Sequence, residues 1–123
     1  SDHDDALVGL LGRCGPVHVL PESQVDVAMG LMSNAPAYVA LLAEAQIDAG
    51  VRRGLPAQLA AELVVQTFAG TAALLRARDF DTLAVRREVT SPGGSTARGL
   101  AALERGGVRT AFHDAMDAVL GDR

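Results

Sequence analysis

The stretch PAQLAAELVVQTFAGTAALLRAR, Pro56–Arg78, decides how this 123-residue chain must be organised. Leu59, Leu63, Phe68, Ala72 and Leu75, with the alanines between them, make it apolar over most of a helical circumference. Between Ala57 and Ala73 the only formal charge is Glu62. A helix that is apolar all round is buried all round. So short a chain has few other helices to cover it, which predicts a partner subunit; a central helix in a monomeric bundle is the alternative. Ala69, Gly70, Ala72 and Ala73 would let another backbone approach closely.

Upstream, Gly54-Leu55-Pro56 reads as a stop and a restart, a glycine cap followed by a proline at the next helix start. The preceding helix runs from Pro36 to about Arg53, with Val39, Leu42, Ala43 and Ile47 on one side, and Ser33-Asn34-Ala35-Pro36 separates it from a helix running from Pro21-Glu22-Ser23 to Met32. Before that, Val17-His18-Val19-Leu20 alternates like a strand. One strand cannot bond itself, so its partners are expected outside this chain or in a second copy. Asp4 or Asp5 is placed to cap a short helix carrying Ala6, Leu7, Leu10 and Leu11.

Downstream, Asp79–Val89 reads as a helix with Phe80, Leu83, Ala84 and Val89 inward. Ala97–Arg105 follows with Leu100 and Leu103 buried, and Val108–Leu120 with Val108, Ala111, Phe112, Ala115, Met116 and Val119 inward. The expected fold class is therefore all-α.

Composition agrees and removes several functions. Apolar residues make up 49% and aromatic residues only 3%, which favours close-packed helices over a sheet. No apolar run approaches the roughly 18 uncharged residues of a membrane span, and Ser1–Asp5 is too acidic for the start of a signal peptide. A net charge of −4 argues against nucleic acid; Arg86-Arg87, the nearest thing to a basic patch, runs straight into Glu88. Cys14 is alone, which excludes an internal disulfide and suits a reducing cytoplasm. His3, His18 and His113 lack metal-ligand spacing, so no metal is expected. Glu44 and Asp48, one helical turn apart, read as a solvated or interface face.

The remaining chemistry lies in Thr90-Ser91-Pro92-Gly93-Gly94-Ser95-Thr96. Pro92 pushes Ser91 out of helical geometry, and the two glycines leave room for an approaching ligand. Ser95 or Thr96 then opens a helix whose first N–H groups have no internal acceptor. Free amides, a positive dipole end and hydroxyl donors suit a carboxylate or a phosphate, or simply a turn and a cap. The stretch lacks the lysine and the longer spacing of a P-loop.

VTSPGGST followed by GLAALERGGVRTAFHDAMDAV resembles the C-terminal signature of pyrroline-5-carboxylate reductase. The likeness continues upstream through VLPESQVD, APAYVALLAEAQIDAGVRRGLP and AAELVVQTFAGTAALL, covering the chain from about Leu7. This family reduces a cyclic imine to proline with NADPH or NADH. The resemblance implies a dinucleotide-binding α/β domain followed by an interlocked helical dimerisation domain. On that reading residues 1–20 are the tail of the first domain, whose remainder is absent. Residues 21–123 are the dimerisation and substrate-binding domain, a homodimer or higher oligomer joined through the helix 56–78. Gly9, Gly12 and Gly15 do not form a dinucleotide fingerprint, so no cofactor-binding residue is expected here.

The resemblance further implies that the glycine turn holds the substrate carboxylate. The amides of Gly94, Ser95 and Thr96 would contact it, with Gly93 in the turn and Ser91 nearby. Thr96 is the catalytic candidate, hydrogen-bonding to the ring nitrogen during hydride transfer; a threonine hydroxyl is a poor acid, which favours orientation over proton donation. The family often has an acidic residue at Asp79, which reads either as lining the substrate pocket or as a helix cap. Two stretches depart from its pattern. Met32-Ser33-Asn34-Ala35 stands where the family reads Ser-Gly-Ser-Gly, and Asp81-Thr82 where it tends to have His-Pro. A related imine reductase and a non-catalytic dimerisation module are the alternative readings.

Overall fold

The computed structural model describes residues 17–121. They form six helices: α1 Glu22–Met32, α2 Ala35–Arg52, α3 Ala57–Ala77, α4 Thr82–Glu88, α5 Ser95–Arg105 and α6 Val108–Leu120. The expected N-terminal helix, Cys14, His3 and the glycines at 9, 12 and 15 lie outside the described residues. Val17–Leu20, expected as a strand, takes no regular structure. A strand exists only as part of a ladder, and the described residues offer this segment no partner.

Prolines and short turns set the boundaries. Pro21 and Pro56 stand immediately before α1 and α3 in extended geometry, with ψ of 143° and 140°. Pro36 sits in the first turn of α2, where its missing N–H breaks no helical bond. Arg52 and Arg76 lie in the last turns of α2 and α3, where a cation complements the helix dipole. The stretch Asp79–Val89 begins its helix later than expected, at Thr82. Asp79 and Phe80 instead take positive φ angles of 54° and 64°, turning the chain between α3 and α4. Asp81 caps α4, its carboxylate accepting the Ala84 N–H at 2.9 Å.

Packing is sparse. Helix α2 lies against α3, α1 against α2 and α6, α5 against α6, and α3 against α4. Only Ala60 and Val85 are buried hydrophobic side chains among the described residues. Leu31, Leu41, Leu63 and Val65 remain exposed, so α1, α2 and α3 all present apolar surface to solvent in the single chain. Val39, Phe80, Leu83, Val89, Leu103, Phe112 and Val119, expected inward, are also exposed, Phe80 to 75% because the left-handed turn swings it out. An apolar hollow of about 170 Å³ lies between α1, α2 and α6, lined by Tyr38, Leu42, Phe112 and Met116 among others. A chain of this size with so little interior has not buried what it must to fold.

Two stretches, Glu22–Arg52 and Ala57–Ala77, are by length and composition apolar enough to cross a membrane, each with an 18-residue window of mean hydropathy 1.3. The expectation counted uncharged runs, which is a stricter criterion. Averaging tolerates Glu44 or Glu62, whereas a run is broken by it. The core helix of a soluble protein passes the same test. The first stretch is also interrupted by the turn at Ser33-Asn34.

Candidate carboxylate site

The glycine turn lies between α4 and α5. Gly93 has φ of +69°, a conformation that any residue with a Cβ adopts only under strain. Gly94 is extended, with φ of −77°, and is glycine for a different reason. A Cβ there would stand 2.5 Å from Ser91 Oγ and 3.3 Å from the Ser91 carbonyl oxygen. The Gly94 N–H donates to that same carbonyl at 3.1 Å, closing the turn.

Helix α5 starts at Ser95, and its first internal bond runs from the Arg98 N–H to the Gly94 carbonyl at 3.2 Å. The N–H groups of Ser95, Thr96 and Ala97 have no acceptor among the described residues, and no side chain caps this helix end. Three donors therefore open toward solvent at the positive end of an 11-residue helix. Ser91, Ser95 and Thr96 are exposed beside them.

The turn thus brings together the residues expected from the sequence but distributes their roles differently. The Gly94 amide, anticipated as a ligand contact, is engaged inside the turn, and the Ala97 amide, not anticipated, is open. Counting orphan donors from a helix start at Ser95 would have found it. Arg98, passed over in the sequence, donates from Nη1 to the Gly93 carbonyl at 2.9 Å. On the α4 side, a hollow of about 190 Å³ is lined by Leu83, Arg86, Arg87, Thr90 and Leu100. The Thr90 hydroxyl is buried there without a hydrogen-bond partner. Asp79 sits in the left-handed turn and does not cap α4. Outside the turn, a forked ion pair joins Arg78 to Glu88, with bonds of 2.7 and 3.1 Å. The hydrogen bond to Glu88, reinforced by its charge, raises the Arg78 pKa further above its ordinary value.

An all-helical chain with so bare an apolar flank is, by class, a domain that joins subunits. The family comparison makes that specific: residues 22–122 match the model for pyrroline-5-carboxylate reductase dimerisation, and the chain belongs to this family. It is 44% identical to the pyrroline-5-carboxylate reductase of Thermus thermophilus over 109 residues, which cover 89% of this chain and 41% of that one. It is 41% identical to pyrroline-5-carboxylate reductase 3 of Danio rerio, over 96% of this chain and 41% of the relative. Among solved structures, the Plasmodium falciparum pyrroline carboxylate reductase with NADP bound superposes with a TM-score of 0.85 at 33% identity, covering 97% of this chain and 47% of that one. The 1-pyrroline-5-carboxylate reductase of Streptococcus pyogenes gives 0.84 at 32%, covering 92% and 44%. The chain therefore spans about two-fifths of the length of the curated relatives it matches. It is the C-terminal dimerisation part of that enzyme family, and homo-oligomerisation is its family property.

Proposed function

We propose that the chain is the subunit-joining and carboxylate-holding part of an NAD(P)H-dependent reductase that converts pyrroline-5-carboxylate to proline in the cytoplasm. Residues 21–123 form that domain, and residues 1–20 the tail of a dinucleotide-binding one. The observation that carries the site is the set of three unpaired amides, Ser95, Thr96 and Ala97, behind a turn whose close approach requires glycine at 94.

A carboxylate seated on these amides would replace bonds to water with charge-assisted ones at a helix N-terminus. Ser91 and Ser95 offer hydroxyls at its rim. Thr96, one residue into the helix, would direct its hydroxyl to the ring nitrogen and hold the ring in register. Orientation of this kind lowers a barrier without transferring a proton.

NADP or NAD would supply the hydride in the parent enzyme, and the residues of the glycine turn would hold the substrate against it.

The apolar surface of α3, with Leu59, Leu63 and Val65 exposed, is the face we assign to the partner. Family membership and the bare core support this assignment together.

Thermal unfolding of the purified chain with and without millimolar L-proline tests the site. L-Proline should raise the melting temperature, and Gly94→Leu should abolish the rise. Absence of any rise in the unaltered chain would favour a dimerisation module without a ligand.

A further inference from the structure

We infer that Arg98 is a positioning residue for the carboxylate site, pinning the turn so that the amides stay open. This deepens the reading above and rests on it.

Three observations converge on Arg98. Its Nη1 donates to the Gly93 carbonyl at 2.9 Å, across the one residue of the turn held at positive φ. That carbonyl stands four residues before Ala97 and is the acceptor the Ala97 N–H would take if α5 began one residue earlier. The guanidinium holds it instead, and the Ala97 N–H is left free. Finally, Arg98 is at the electrostatically unfavourable end of its helix. A cation supports a helix from the last turn, as Arg105 does here, and opposes the dipole near the first. Helix stability therefore gives no reason for an arginine at 98, whereas an approaching carboxylate does.

The chemistry follows from the pairing. With Gly93 tied to Arg98, and Gly94 tied to Ser91, both ends of the turn are fixed before any ligand arrives. A preset site loses less freedom on binding than one that must be ordered. The arginine also adds a positive charge beside the amides, favouring a carboxylate over an uncharged amide of the same shape.

The test is an amide NMR titration of the purified chain with L-proline, using L-prolinamide, which lacks the carboxylate, as the comparison. Arg98→Met and Arg98→Lys are each titrated the same way, and heteronuclear relaxation of Gly93 and Gly94 is recorded without ligand. In the unaltered chain L-proline should shift the Ser95, Thr96 and Ala97 signals and L-prolinamide should not. Arg98→Met should weaken L-proline about tenfold, the order expected for losing one charge-assisted bond at an exposed site, and should loosen Gly93 and Gly94 in the free protein. Arg98→Lys, which keeps the charge and one donor, should recover most of both.

Unchanged binding by Arg98→Met would overturn the role of Arg98 and leave the carboxylate site standing. Weakened binding with Gly93 and Gly94 as rigid as before would reduce Arg98 to a bystander charge and overturn the pinning. No L-proline shift in the unaltered chain, or an equal one with L-prolinamide, would overturn the carboxylate site and this inference with it.

Discussion

Ser91 and Gly94 close on one another: the Gly94 N–H reaches the Ser91 carbonyl at 3.1 Å, leaving no room for a Cβ facing Ser91 Oγ. The backbone oxygen cannot rotate away as the hydroxyl can. Gly94→Ala should therefore weaken L-proline binding by at least about tenfold, a loss on the order of 1.4 kcal/mol. Adding Ser91→Gly removes the hydroxyl clash but not the carbonyl one and should recover only part. Titration calorimetry on the single and double variants checks this.

Gly93 differs, because a side chain there meets no neighbour but the backbone sits at φ +69°. Gly93→Ala should cost about 1 kcal/mol of stability from the left-handed conformation alone. Chemical denaturation would show it as a lower midpoint with an unchanged slope.

Helix α3 leads to a prediction about assembly. Leu63 is 47% exposed in the single chain, on a helix that packs, among the described residues, against α2 and α4. Leu63→Lys should convert the oligomer to monomer or unfolded chain, read by light scattering after size exclusion. For the unaltered protein the melting temperature should rise with protein concentration, as it must when association and folding are linked. A concentration-independent melt would remove the partner-burial reading of α3.

Asp81 stands where the family tends to have histidine, and it caps α4. Asp81→Ala should destabilise by about 1 kcal/mol, the usual worth of such a cap. Asp81→Asn, which retains the acceptor, should cost less. Differential scanning calorimetry of both variants separates cap from charge.

The Arg78–Glu88 fork spans the left-handed turn at Asp79-Phe80. Arg78 has its pKa raised, so its contribution is fully present below its unfolded value and is lost only in strong alkali. Glu88→Gln should accordingly speed hydrogen exchange at residues 79–81 throughout neutral pH. Both side chains are 43% exposed, and the difference should shrink in high salt.

Much of this was legible from punctuation. Pro21, Pro36 and the Gly54-Pro56 restart mark helix starts because proline is compatible with only a few backbone positions, and α1 to α3 begin within a residue or so of them. That the chain joins a partner was legible from how much apolar surface its helices carry, α3 above all. The left-handed turn was not, since Asp79 and Phe80 are residues that seldom adopt positive φ, and a helical pattern runs straight through them. Nor did the sequence reveal which amides of the glycine turn are open. That depends on Gly94 spending its N–H on Ser91, a contact between residues three apart in a conformation composition does not encode. Arg98 was hidden for the same reason: one arginine among eleven basic residues has no signature until its acceptor is seen.

The near-empty interior of the single chain has a genetic consequence. If each protomer completes its neighbour's core, a faulty copy does not fail alone. In a cell making both versions in equal amounts, a faulty subunit whose shared face is intact would pair at random and leave only about a quarter of dimers free of it, whereas a lesion on the shared face would keep the faulty copy out of its healthy neighbours.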